Sequence, residues 1–322
     1  MKKYLELVEG SFTQEHQEKA KPENRPYVAY SPIDGVMYTI ILAADGYNLT
    51  VLKKIDISDI TYEAVDLGLP SGLKWANKNV GAQTENDYGA YFSWGNTEGY
   101  TVSGTKFLTV DGACQLFSSL TGESISSKEE LEGALSMMSM SVNNIGSVDN
   151  YSFDEDTYAK TTGASLTADF TAENDAATVN MSSDWRMPTN DEQRELINAV
   201  KTAENDNDNP LICQYEYLDL EGNKQTLTVY RNGTDYFGGQ GLFDDEGTPL
   251  FSWIDGVRFK NVSTGASLFF PACGFVVGPL LARIGLLGPY WSSSINDTTS
   301  ARYFIFNRNS VFAYNSNYRF YG

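Results

Sequence analysis

The chain is poor in the residues from which most catalytic and metal sites are built. Its 322 residues include one histidine, His16, in a polar stretch near the start. A Ser-His-Asp or Cys-His relay would need that residue to fold onto whatever carried the nucleophile. Cys114, Cys213 and Cys273 are odd in number, far apart and without a CxxC pair. They signal neither a disulfide framework nor a zinc site and read as buried thiols. No run of about 18 apolar residues occurs, so no segment reads as a membrane-spanning helix. Basic residues number 23 against 42 acidic, giving a formal net charge of −19 and a pI near 4.4. With no Lys/Arg cluster to offset it, that charge repels nucleic acid and anionic membrane surfaces, and it favours solubility. Gly238-Gly239-Gln240-Gly241 lacks both the Lys-Ser/Thr of a phosphate loop and dinucleotide-site spacing, and reads as a flexible turn. Carboxylates are abundant, which leaves a glycosidase-type acid and base pair open, since the fold sets such pairs.

What is present favours strands and turns. Hydrophobic residues make up 41% of the chain and aromatics 13%, enough to bury a core. The length suits one large or two ordinary domains. Pro26 to Ser31 and Val36 to Leu42 read as two strands joined by a turn at Asp34-Gly35, and a second turn at Asp45-Gly46 precedes Asn48 to Leu52. These strands predict a small β-rich attachment unit over residues 1–62, or equally an extra sheet on the main domain. Two helix starts have capping-box spacing. Ser127 to Glu130 opens a run to about Met140, and Thr189 to Glu192 opens one to about Thr202 with Leu196, Ile197 and Val200 on its apolar face. Met137, Met138 and Met140 read as core or interface filler.

Three segments carry more. Val65-Asp66-Leu67-Gly68-Leu69-Pro70-Ser71-Gly72-Leu73-Lys74-Trp75-Ala76 continues through Asn79-Val80-Gly81-Ala82 to Tyr88-Gly89-Ala90-Tyr91-Phe92-Ser93-Trp94-Gly95. Trp185-Arg186-Met187-Pro188-Thr189 leads into a helix. Phe269-Phe270-Pro271-Ala272, then Gly274, precede Tyr290-Trp291-Ser292-Ser293-Ser294. In this order they resemble the major paralogous domain family named from Fibrobacter, common in gut Bacteroidetes and their phages. The likeness covers about residues 63–322, interrupted by insertions near 100–180 and 203–250. It implies an α+β chain: a C-type-lectin-like domain with large insertions, preceded by the β-rich N-terminal unit.

The resemblance implies a non-catalytic binding or display protein without cofactors. The fold's formylglycine-generating use needs paired cysteines, and Cys273 has no close sequence partner. Its calcium-dependent sugar-binding use needs oxygen-ligand motifs, to which Ile295-Asn296-Asp297 is the nearest approach. Asn205 to Asn209 reads as an acidic surface loop. The C-terminal stretch has the Tyr, Asn, Ser and Arg composition of a paratope. It supplies the predicted ligand-binding residues Trp291, Arg302, Tyr303, Asn307, Arg308, Asn309, Tyr314, Asn315, Asn317, Tyr318 and Arg319. The same alternation also fits a hairpin that fills the core, and both can hold on opposite faces of one strand.

Met1 to Gly10 has a basic start but no apolar h-region, so it does not read as a secretory signal. That points to a virion fibre, tail or decoration protein made in a host cytoplasm. A bacterial surface protein whose signal has been removed is the alternative. Expected partners are a host surface glycan or protein, other virion proteins and further copies of the chain. Relatives continue past a pair like Tyr321-Gly322 into a last strand. Its absence here implies an exposed edge or a strand supplied by another chain, which favours an oligomer such as a trimer. A purely structural fibre subunit is the competing reading.

Overall fold

Tyr47 and Leu49 alternate along one strand and are both fully buried, so that strand must face an apolar layer. A computed structural model describes residues 27–30, 36–43, 46–54, 57, 59–139, 165, 167–219, 222–233, 236–238, 254–277 and 280–319. They divide into two units: Met1–Ile55, Tyr100–Ser152 and Val277–Leu280 form one, and Asp56–Gly99, Phe153–Val276 and Leu281–Gly322 form the other.

In the first unit, β1 (Tyr27–Tyr30), β2 (Val36–Ala43), β3 (Gly46–Lys54) and β4 (Tyr100–Thr109) make an antiparallel sheet in that order. The strands of the expected hairpin are in place; its turn, residues 31–35, lies outside the described residues. The fourth strand comes from a stretch expected as an insertion in the second unit; the described residues 100–139 cluster with the first. The physical reason is that β3 would otherwise present a long unpaired edge, and β4 pairs with it from Gly46 to Lys54.

Two helices then cover one face. In α1 (Val110–Thr121), Thr109 Oγ1 accepts the Gly112 N–H at the start, and Gly122 at φ 72° closes the end. In α2 (Lys128–Ser139), Ser127 Oγ accepts the Glu130 N–H at 3.1 Å as its sequence spacing predicts. The Glu130 carboxylate takes the Ser126 N–H at 2.8 Å, one residue earlier than a standard box. Ala113, Cys114, Phe117 and Leu131 of these helices bury against Tyr47 and Leu49. The side chains of Met137 and Met138, and all of Met140, lie outside the described residues, as do His16 and residues 239–241.

The second unit holds two four-stranded antiparallel sheets. One has β5 (Leu211–Leu218), β6 (Lys224–Val229), β8 (Ile254–Asn261) and β9 (Ser267–Pro271), ordered β9-β8-β5-β6. The other has β7 (Tyr236–Gly238), β10 (Leu287–Ile295), β11 (Ser300–Asn307) and β12 (Ser310–Tyr318), ordered β10-β11-β12-β7. Mixed helix and mainly antiparallel sheet agree with the α+β expectation. Cys213, Tyr215, Val257 and Phe259 from the first sheet share one core with Phe304, Phe306, Val311 and Ala313 from the second. Leu67, Leu69, Leu196 and Ile197 complete it. Gly288 sits opposite Phe306 within the second sheet, where a Cβ would meet that ring at 2.3 Å and would also come within 3.0 Å of the Pro271 carbonyl of the first sheet.

Arg258 ties an overlying loop to this scaffold. Its guanidinium bonds Glu216 and both Glu85 oxygens and lies 4.8 Å over the Phe269 ring. All three cysteines are free and buried, as their sequence spacing predicts. Burial pushes the Cys273 thiol up to about 12 and the Cys213 thiol higher still. Among the described residues no helix is long and apolar enough to cross a membrane.

Helices α3 (Ala176–Asn180) and α4 (Asn190–Asn198) flank the Trp-Arg-Met-Pro-Thr motif. Helix α4 ends four residues before the predicted Thr202, and Val200 is buried in an isolated bridge to Leu211. The predicted capping box at its start is complete: Thr189 Oγ1 accepts the Glu192 N–H and Glu192 accepts the Thr189 N–H. Glu192 also holds Arg186 through two bonds of 2.6 and 2.8 Å. The Arg186 hydrogen bond, more than any other contact, keeps the Glu192 carboxyl below its ordinary value. A carboxyl lowered in the folded state stabilises fully above its unfolded value, about 4.3, and that contribution is lost as pH falls through the folded value. Glu192→Gln is therefore expected to lower the urea midpoint at pH 7, with the gap to wild type narrowing as pH falls below about 4. A gap that did not change with pH would refute the assignment.

Candidate ligand-binding hairpin

The sheet β10-β11-β12 is irregular, and its irregularities explain the polar residues of α4. Between Trp291 and Ile295 of β10 the register with β11 shifts, and between Tyr303 and Ile305 of β11 the register with β12 shifts. Tyr303 faces Asn315 while Ile305 faces Phe312, so β12 carries one extra residue there. A bulge leaves carbonyls outside the ladder. Asn190 Nδ2 donates to the Ala313 carbonyl at 2.7 Å, and Gln193 Nε2 donates to those of Tyr290 and Trp291 at 3.0 and 3.2 Å. Both side chains are buried in the process.

The three serines after Trp291 serve the same end. Ser292 Oγ donates to the Arg302 carbonyl, the Ser293 N–H donates to the Pro188 carbonyl, and Ser294 Oγ accepts the Asn190 N–H. Asp175 caps α3 through the Ala177 and Thr178 N–H groups and takes the Met187 N–H on its other oxygen. The other motif segments tie down in turn. Tyr91 OH donates to the Cys273 carbonyl and Tyr290 OH to that of Pro271, each at 2.7 Å. Trp94 Nε1 donates to the Ser292 carbonyl.

Against this frame the predicted ligand residues fall into separate groups. Trp291, Tyr303 and Asn315 align across three strands, and the Trp291 and Tyr303 rings meet edge to face at 5.7 Å. Trp291, Asn315 and Asn317 are half-buried on that face. Arg302 is half-buried opposite Ser316, on the other face. Ser316 is a half-buried polar neighbour that the sequence reading left out and that strand alternation could have supplied.

Asn307, Arg308 and Asn309 form the hairpin tip. Asn307 Oδ1 accepts the N–H groups of Asn309 and Ser310, and the Asn307 carbonyl accepts Tyr215 OH at 2.7 Å. Arg308 and Asn309 are exposed. Tyr314 and Tyr318 lie in β12, with side chains outside the described residues.

Two of the expected residues are corrected. Tyr303 is 7% exposed and Arg319 is 0% exposed, so neither presents a surface to a ligand. Burial raises the Tyr303 phenol above its ordinary value. Arg319 is a clasp. Its guanidinium lies 4.6 Å over the Trp94 ring, with donors to the carbonyls of Ser165 and Asp297. Its own carbonyl accepts the Trp94 N–H at 2.8 Å, and the Phe170 ring packs against that of Trp94 with centroids 4.2 Å apart. A guanidinium tolerates this because it is weakly hydrated and stacks on aromatic faces.

The nearest approach to a calcium motif, at Asp297, and the acidic loop at Asn205 to Asn209 are both closed turns. Asp297 accepts from the backbone and hydroxyls of Thr299 and Ser300, which holds its carboxyl well below the usual range. Asp206 does the same for Thr202, Asp208 and Asn209, which lowers it to about 2. Among the described residues no group of three or more His, Cys, Asp or Glu side chains could hold a metal ion. Compared with known protein families, curated proteins and solved structures, the chain matches none.

Removing the buried amides leaves carbonyls unsatisfied, at about 1 to 3 kcal/mol each. Asn190→Ala and Gln193→Leu should each lower unfolding free energy by that order in urea titrations, and Arg319→Ala by about 3 kcal/mol or more. Wild-type stability in all three would show that these contacts do not hold the hairpin.

Proposed function

We propose that this chain is a non-catalytic binding and display protein, a virion fibre, tail or decoration component that recognises a host-surface ligand through the β10-β12 hairpin region. The reading extends to a C-type-lectin-like fold for the second unit, with membership of the major paralogous domain family as its sequence rationale. The observation that carries it is the division of labour along β11 and β12. Buried amides, serines and Arg319 fix the backbone, while Trp291, Arg302, Asn307, Asn315 and Asn317 remain half-exposed and Arg308 and Asn309 fully so. A pre-ordered backbone reduces the entropy lost on binding, and short amides with an aromatic ring give adaptable contacts. Assembly with other virion proteins, as a homo-oligomer such as a trimer, belongs to the same proposal. Display on a bacterial surface is the alternative location.

The test is binding of fluorescently labelled full-length protein to intact gut Bacteroidetes cells. Arg308→Ala/Asn315→Ala/Asn317→Ala is the comparison variant, with circular dichroism to confirm folding; Tyr303 and Arg319 are spared because they are buried. Saturable binding that the variant loses by at least about tenfold, the sum of about 1.4 kcal/mol over three contacts, is expected. No binding across a broad strain panel, with stable oligomers that dissociate on the same substitutions, would replace this reading with a purely structural subunit.

A further inference from the structure

Charge is distributed unevenly along the chain. From Gly256 to Gly322 there are six basic residues, Arg258, Lys260, Arg283, Arg302, Arg308 and Arg319, against one acid, Asp297: a net of +5 within a chain of −19. Strand propensity alone would thin out Lys and Glu together. It does not account for five arginines among six basic residues. Arginine is the side chain that grips carboxylate, sulfate or phosphate groups with two parallel bonds.

Most described arginines are already committed. Arg186 is held by Glu192, Arg194 by Asp191 and Arg258 by Glu85 and Glu216. Arg231 donates to the Val200 and Gly233 carbonyls, and Arg319 is the buried clasp. Arg283 and Arg308 are both exposed with no ion pair among the described residues, and of the two Arg308 sits on the hairpin, at a tip pinned by Asn307. Asp297 lies at the other end of β11, roughly 20 to 25 Å away at strand rise, and its carboxylate is taken up by its own turn. At physiological ionic strength the screening length is about 8 Å, so Asp297 contributes little to the field at the tip.

Resting on the binding role proposed above, we infer that the ligand of this hairpin is an acidic polysaccharide, with Arg308 as the anchor for its carboxylate or sulfate groups. A polymer fits the layout. Arg308 and Asn309 at the tip and Asn315 along β12 are spread over roughly 20 Å of strand, more than a single sugar spans but within reach of a chain. The amides supply hydrogen bonds to hydroxyls.

The experiment is affinity electrophoresis of the full chain through gels containing polygalacturonate, chondroitin sulfate or dextran, with Arg308→Ala, Arg308→Lys and Arg308→Glu as variants. The tip is exposed, so all three should fold as wild type. Retardation by one or both polyanions and not by dextran is expected, weakening as salt rises. The affinity should fall about fivefold in Arg308→Ala, partly recover in Arg308→Lys and vanish in Arg308→Glu. Retention of Arg308→Ala at wild-type affinity, or equal retardation by dextran, overturns the inference. If labelled protein binds cells saturably but neither polyanion competes, or protease treatment of the cells removes the binding, the anionic glycan is wrong and the display role stands. Absence of both cell and polymer binding sinks the two together.

Discussion

Everything in the second unit depends on where the carbonyls of its bulged strands find donors. Bulges at β10 and β12 break the ladder beside the core, where water cannot repair it. Asn190 and Gln193 repair it from α4, which fixes that helix's rotation and depth more tightly than its apolar residues alone could. The capping box then follows as a second requirement, since the amide of Asn190 is useful only if the first turn of the helix starts at one residue. Thr189, Glu192 and Arg186 secure that start. Polar residues thus make the most demanding geometric choices here, and apolar area supplies the bulk of the driving force.

The motif segments are therefore a description of scaffold. Tyr91, Trp94, Ser292, Ser293, Ser294 and Arg186 each have a partner whose loss would leave a polar group stranded. The residues best placed to meet a partner molecule, Arg308, Asn309, Asn315 and Asn317, fall outside the three segments.

Local signals were legible in the sequence and nonlocal ones were not. Asp34-Gly35 between alternating apolar residues marked β1 and β2, the spacing of Thr189 and Glu192 marked α4, and the isolated cysteines read correctly as buried thiols. Strand β4 escaped because nothing between Tyr100 and Thr109 says which edge it will join; that pairing is set by the open side of β3, some fifty residues back. Arg319 misled for a different reason. A cation in an alternating polar stretch reads as exposed, and only the assembled ring of Trp94 with nearby carbonyls makes burial tolerable. The paratope-like composition was read correctly as composition, yet it mixes clasp residues with accessible ones, and period-two patterning loses its phase at a bulge.

The hairpin tip turns between Asn307 and Ser310 with neither Arg308 nor Asn309 at positive φ, because the Asn307 side chain does the work that glycine does elsewhere. Tips that need left-handed backbone are confined to glycine, asparagine and a few others. This one accepts L-residues other than proline at both positions without strain. Mutation there is free of the folding penalty that constrains the rest of the sheet, so a lineage could exchange its most exposed side chains from one generation to the next and keep the same protein underneath.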